Sequence, residues 1–142
     1  MKKEVAIIKL ASPFVRTLRE DTNAIISVNP TRVNVMREIP IYDDDDDEII
    51  KIEHTIIGSE IVRISDLNVS SPQAVNLSKS SIQYYKTFHI TARFNADLKK
   101  GDVLIREDGE KFVVEDINSL YAEGFHETNR YRKSGTLRLF KE

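Results

Sequence analysis

The stretch SIQYYKTFHITARF, residues 81–94, alternates apolar and polar side chains with a period of two. Ile82, Tyr84, Phe88, Ile90, Ala92 and Phe94 fall on one side. Gln83, Tyr85, Thr87, His89, Thr91 and Arg93 fall on the other, and only Lys86 interrupts the apolar face. A helix would scatter those six apolar residues around its circumference, whereas a strand lines them up. The spacing therefore predicts a long strand with one buried face. A second such pattern covers EIIKIEHTIIGSEIVRIS, residues 48–65, where Ile50, Ile52, Ile56, Val62 and Ile64 share one parity. Gly58 marks a bulge or bend within it, and the β-branched residues suit a pleated surface.

Shorter strands are predicted at 24–28, 31–39, 103–106, 111–117 and 135–140, with another around 120–125. Helix signals are few. SPFVRTLRED, residues 12–21, offers Ser12 as a cap and Pro13 at the first helical position, with Phe14, Val15 and Leu18 on one face. SSPQAVNLSKSS, residues 70–81, is polar and reads as a connection. The expected fold is all-β: a small antiparallel barrel or sandwich with at most one short helix. One domain spans 1–142, with 1–23 as an N-terminal arm or short helix and 40–48 as a mobile acidic loop.

The stretch LKKGDVLIREDGEKFVVEDI, residues 98–117, contains a predicted hairpin. A two-residue turn at Asp108-Gly109 sets Glu107 opposite Glu110 and Arg106 opposite Lys111, both like-charged. A three-residue turn, Glu107-Asp108-Gly109, sets Arg106 opposite Glu110 and places Gly109 in the left-handed region. The second register is predicted.

The formal charge of the 142 residues is −2 and the pI about 6.0. A dedicated nucleic-acid binder is normally basic, so long tracts of phosphate contact are disfavoured. With no cysteine, disulfides and thiolate sites are excluded. The N-terminal MKKEVAIIKLASPFV is interrupted by Glu4 and Lys9 and does not read as a signal peptide. No stretch approaches the roughly 18 apolar residues of a membrane span. A soluble, unprocessed, cytoplasmic protein with no membrane partner is expected.

Two charged clusters are candidate sites. Asp43, Asp44, Asp45, Asp46, Asp47 and Glu48 form an acidic run. It lacks the alternating ligands and turn glycine of a calcium loop, and mutual repulsion extends it. It is expected to be a solvated loop with no tight metal site. Arg130, Tyr131, Arg132 and Lys133 form a compact basic cluster, expected in a turn between two strands. Cations interleaved with an aromatic suit contact with DNA or with an acidic partner surface. The acidic and basic loops are also complementary between copies of the chain. His54, His89 and His126 lie far apart in sequence. No GxSxG, GxGxxG or GxxxxGK[ST] motif is present. No enzyme activity, catalytic residue or cofactor is expected.

The C-terminal run, LKKGDVLIREDGEKFVVEDI followed by SLYAEGFHETNRYRKSGTLRLFKE, resembles the head–tail joining, or head-closure, proteins of tailed bacteriophages. The shared pattern is a KGD turn, a hairpin closed by DG, an aromatic followed by valines, a variable loop and a final strand such as GTLRLF. The resemblance covers about residues 82–142 and uses turns common to many small barrels. It implies a β-barrel that assembles as a homo-oligomeric ring beneath the portal, in the neck of the virion. Such a ring forms in the host cytoplasm, meets portal and tail proteins, and lets DNA pass with transient, non-specific contact. Residues 1–48 have no counterpart in that pattern, and no catalytic residue is carried over.

Other readings remain open. Tail-terminator, baseplate or capsid-decoration roles match the composition equally well. Tyr84, Tyr85, Phe88 and the basic cluster also suit a nucleic-acid-binding barrel of the OB or SH3-like kind, although Tyr84 and Phe88 lie on the apolar face. A small hydrolase or metal enzyme has only scattered histidines and carboxylates behind it.

Overall fold

The computed structural model describes residues 11–45, 48–66 and 87–140. Helix α1 (Pro13–Val28) is followed by β1 (Thr31–Tyr42), β2 (Ile49–Asp66), β3 (Thr87–Arg93), β4 (Val103–Arg106), β5 (Lys111–Tyr121) and β6 (Arg130–Leu139). The strands close into a barrel in the order β1-β2-β3-β6-β5-β4. Every pairing is antiparallel. Closure leaves the barrel wall without a free edge.

The interior is filled by Val33, Val35, Val62, Ile90, Ala92, Leu104, Phe112, Val114 and Leu137, with Ala96 and Leu98 of the β3–β4 loop added to it. Phe88 packs edge-on against Phe112 with ring centroids 5.1 Å apart. Burying a side chain of this size contributes about 1.5–3 kcal/mol. The inward face of β3 is thus Phe88, Ile90 and Ala92, as the alternation predicts. Residues 81–86, the first part of that predicted strand, lie outside the described residues, as does the predicted connection at 70–81.

The β4–β5 hairpin adopts the three-residue turn. Arg106 and Glu110 face each other, with Arg106 N–H donating to Glu110 O at 2.9 Å. Gly109 has φ 89°, a region that costs little only without a Cβ.

Three expectations are corrected. The helix does not end near residue 21 but runs to Val28, so 24–28 is helix and not strand. Ser12 Oγ accepts from Val15 N at 3.2 Å and Pro13 opens the first turn. Val15, Thr22 and Ile26 recur at helical spacing and are buried. That stripe, packed on the barrel, outweighs the local strand preference of AIIS. Second, β1 extends to Tyr42, so residues 40–42 are strand, and the acidic loop starts only at Asp43. Third, β5 continues to Tyr121, and the segment after it is a turn containing a short 3-10 helix, Glu127–Asn129, not a strand to 125.

A fourth correction concerns β2. A bulge is present where Gly58 predicts one: Val35 pairs with Gly58 but Met36 with Ile56, leaving Ile57 as the extra residue. One extra residue inverts every side chain on its far side. Val62 therefore faces the core, with Ile64 packed against it. Ile50, Ile52 and Ile56, of the same parity in sequence, are half exposed to solvent.

Candidate functional site

The inversion at Ile57 creates the most unusual surface of the molecule. β4 pairs with β1 only from Val33 to Met36, and β3 pairs with β2 only from Arg63 to Asp66. Among the described residues, beyond Met36 the two strands pair only with each other, and they continue as a two-stranded ribbon to Tyr42 and Ile49. Directly paired residues share a face. One ribbon face therefore carries Met36 with Ile56, Glu38 with His54, Pro40 with Ile52, and Tyr42 with Ile49. It continues the outer wall of the barrel, where Arg32 pairs with Ile61. Tyr42, Ile49, Ile50 and Ile52 are each more than half exposed. Clustered isoleucines left in water mark a contact surface more often than single exposed ones do.

The acidic run is the tip of this ribbon. Asp43 N–H donates to Glu48 O at 2.7 Å, which closes the turn. Asp43 Oδ1 accepts from Asp45 N at 2.9 Å. Among the described residues, none of Asp43, Asp44, Asp45 and Glu48 forms an ion pair. Asp46 and Asp47 lie outside the described residues. The tip thus presents uncompensated negative charge at the end of an apolar face.

The basic cluster is not a turn. Arg130, Tyr131, Arg132 and Lys133 are the first residues of β6, with Arg130 opposite Tyr121 and Lys133 opposite Ser119. Sequence reading placed them in a turn because Asn129 precedes the cluster and Ser134 and Gly135 follow it. Each of its three cations makes a hydrogen bond within the chain. Arg132 Nε donates to Thr22 Oγ1 at 3.1 Å, and Lys133 Nζ donates to Ala96 O at 2.5 Å. Burial pushes the Lys133 ammonium below its ordinary pKa, and repulsion from Arg130 adds to that. Arg19 of α1 joins the group. It donates to Arg130 O and Thr128 O at 2.8 and 2.9 Å and stacks 3.7 Å over the Phe94 ring. Burial lowers its pKa, and repulsion from Arg130 again contributes. Beside this group Phe125 stands 87% exposed, touching Tyr121 edge-on.

The histidines do not converge. His54 is on the exposed ribbon, His89 shares a 2.8 Å hydrogen bond with Ser134 Oγ, and His126 Nδ1 accepts from Thr128 N at 3.1 Å. Among the described residues no group of three His, Asp or Glu side chains is placed to hold a metal ion. An open groove of about 540 Å³ runs between Asn29–Arg32, Ile61 and Arg106–Asp108. Arg106 there already pairs with Asp108 at 3.1 Å.

The apolar ribbon is what sequence reading missed. Lys51, Glu53 and Thr55 between the isoleucines give the alternation of an ordinary half-buried strand. The signals available were Gly58, whose bulge turns the face over, and the acidic run at the end of the ribbon. No protein-family model matches this chain, and no curated protein sequence matches it.

Proposed function

We propose that this chain is a structural assembly protein, a ring-forming subunit of the head-to-tail connector of a tailed bacteriophage. The observation that carries the reading is the ribbon: an apolar, acid-tipped extension of β1 and β2 that stands clear of a complete barrel core. An isolated two-stranded ribbon is marginal in water, and its free edges and isoleucines gain stability only against a partner surface. The motifs shared with head-closure proteins, from the KGD turn to GTLRLF, supply the choice of virion role among assembly roles.

The nucleic-acid-binding alternative is weaker. Phe88 is committed to Phe112 in the core, and Arg132 and Lys133 bond to the protein itself. Electron microscopy of the purified chain, alone and with portal and tail components, tests the proposal. Rings, or density added at the head–tail junction, support it. A monomer that ignores those components yet binds short oligonucleotides at physiological salt overturns it.

A further inference from the structure

Building on that assembly reading, we propose that the apolar face of the β1–β2 ribbon docks head to tail on the Phe125 end of a second copy of this chain. The barrel order supplies the geometry. In the circuit β1-β2-β3-β6-β5-β4, β1 lies three steps from β6 and β2 three steps from β5. The ribbon and the β5–β6 end therefore occupy opposite walls of the barrel. They also leave it in the same direction. Met36 of β1 pairs with Val103, and Val103 pairs with Val113 of β5. From that level β1 continues to Tyr42 and β5 to Tyr121. A copy placed beside the first thus brings its Phe125 end to the neighbouring ribbon at matching height. Such a contact uses two different surfaces, so it repeats and closes into a ring when the rotation permits.

The two surfaces complement each other chemically. The ribbon offers Pro40, Tyr42, Ile49, Ile52 and Ile56, ending in Asp43–Asp45 and Glu48. The opposite end offers Phe125 and, around it, arginines of α1 and β6. Ser12 Oγ donates to Glu123 Oε1, and Arg19 bonds the Thr128 and Arg130 carbonyls. Ser12, Arg16 and Arg19 recur at helical spacing, so Arg16 lies on the side of α1 that borders this loop. Arg16 is exposed and Arg130 partly so. Glu123 and Glu127 are in the same loop, but Glu123 is turned to Ser12. Burial is the larger cause of the lowered Arg19 and Lys133 values, and Arg130 adds repulsion to both. An acidic tip from a neighbour faces the exposed Arg16 and the part-exposed Arg130 with opposite charge.

The experiment uses the full chain and two charge-reversed variants. One carries Asp43→Lys, Asp44→Lys and Asp45→Lys, and the other Arg16→Glu and Arg130→Glu. Each alone opposes like charges across the contact and should associate about tenfold or more weakly by sedimentation velocity. Mixed in equal amounts, they present Lys to Glu at one contact and Asp to Arg at the next, and association should return. Phe125→Asp and Ile52→Asp should each abolish it, with circular dichroism unchanged. A wild-type oligomer indifferent to all four changes, or a mixture that fails to recover, overturns this contact and leaves the assembly reading standing. A wild-type chain that stays monomeric at every concentration overturns both.

Discussion

Arg37 and Asp102 form a two-pronged ion pair at the point where the ribbon leaves the barrel. Arg37 Nε donates to Asp102 Oδ1 and Nη2 to Oδ2, both at 2.9 Å. Asp102 is 2% exposed and also accepts from Lys99 N at 2.8 Å, which shapes the KKGD turn. The pairing raises the Arg37 pKa, the hydrogen bond to Asp102 being the largest cause. One ion pair thus ties β1 to the loop that seals the barrel beside Leu98.

Arg37→Met should cost about 3–5 kcal/mol, because it strands a buried carboxylate. Adding Asp102→Asn should return part of that loss, a coupling that a double-mutant cycle by denaturant melts would measure. Asp97, the outer partner of Arg37 at 3.0 Å, is mostly exposed, and Asp97→Asn should cost under about 1 kcal/mol. Hydrogen bonding to Arg37 lowers the Asp97 pKa below 3.8. Its contribution is therefore present above that pH and lost as pH falls through the lower folded value. Asp97→Asn should accordingly flatten the acid limb of the stability profile below about pH 4 and leave the neutral region alone.

The bulge at Ile57 makes a prediction opposite to the one that plain parity suggests. Val62 and Ile52 share parity, yet Val62 is fully buried and Ile52 about half exposed. Val62→Asp and Ile90→Asp should abolish a cooperative melt, since each buries an unpaired carboxylate. Ile52→Asp should change monomer stability by no more than about 0.5 kcal/mol. Equal losses at Val62 and Ile52 would mean that the ribbon face is core after all.

Gly135 and Gly109 are needed for different reasons. A Cβ at Gly135 would lie 2.1 Å from Asp116 O and 2.9 Å from Ile117 Cα. Those are backbone atoms of β5, held beside β6 by Asp116 Oδ1, which accepts from Thr136 N at 2.9 Å. Gly135→Ala must separate the two strands and should prevent stable folding. Gly109 has open space around it, so Gly109→Ala meets only the left-handed backbone cost of about 1–2 kcal/mol. Thermal melts of the two variants should differ widely.

Much of the barrel was legible because its strands alternate and its hairpin obeys charge pairing: Arg106 facing Glu110 selected the register. The helix was read too short because Ile25, Ile26 and Val28 carry strand propensity, and only the spacing of Ile26 from Val15 and Thr22 marks the buried stripe. The ribbon was misread for a deeper reason. Alternation reports that two faces differ, not which face has a neighbour, and Ile52 looks in sequence as Val62 does. Gly58 signals the bulge, but which face it turns to solvent depends on the pairing with β1. The covering of Thr91, 7% exposed on the nominally polar face of β3, is likewise set by packing between elements. α1 lies against that strand and β6.

Helix α1 supplies the last test, since residues 1–23 were expected to form an N-terminal arm or short helix. Val15 and Thr22 are buried, so removing 1–23 should destabilise the barrel and not merely trim it. Phe14 is 55% exposed, which makes Phe14→Asp mild and Val15→Asp severe. Arg19→Met probes the junction more selectively. It removes the donors to Thr128 O and Arg130 O, whose loss costs about 1–3 kcal/mol, and the stacking on Phe94. The core below is untouched, so the chain should still fold, with faster hydrogen exchange confined to α1 and residues 122–130. If that loop is the seat for the neighbouring ribbon, its loosening must also weaken self-association. Faster exchange with undiminished association would place the seat elsewhere.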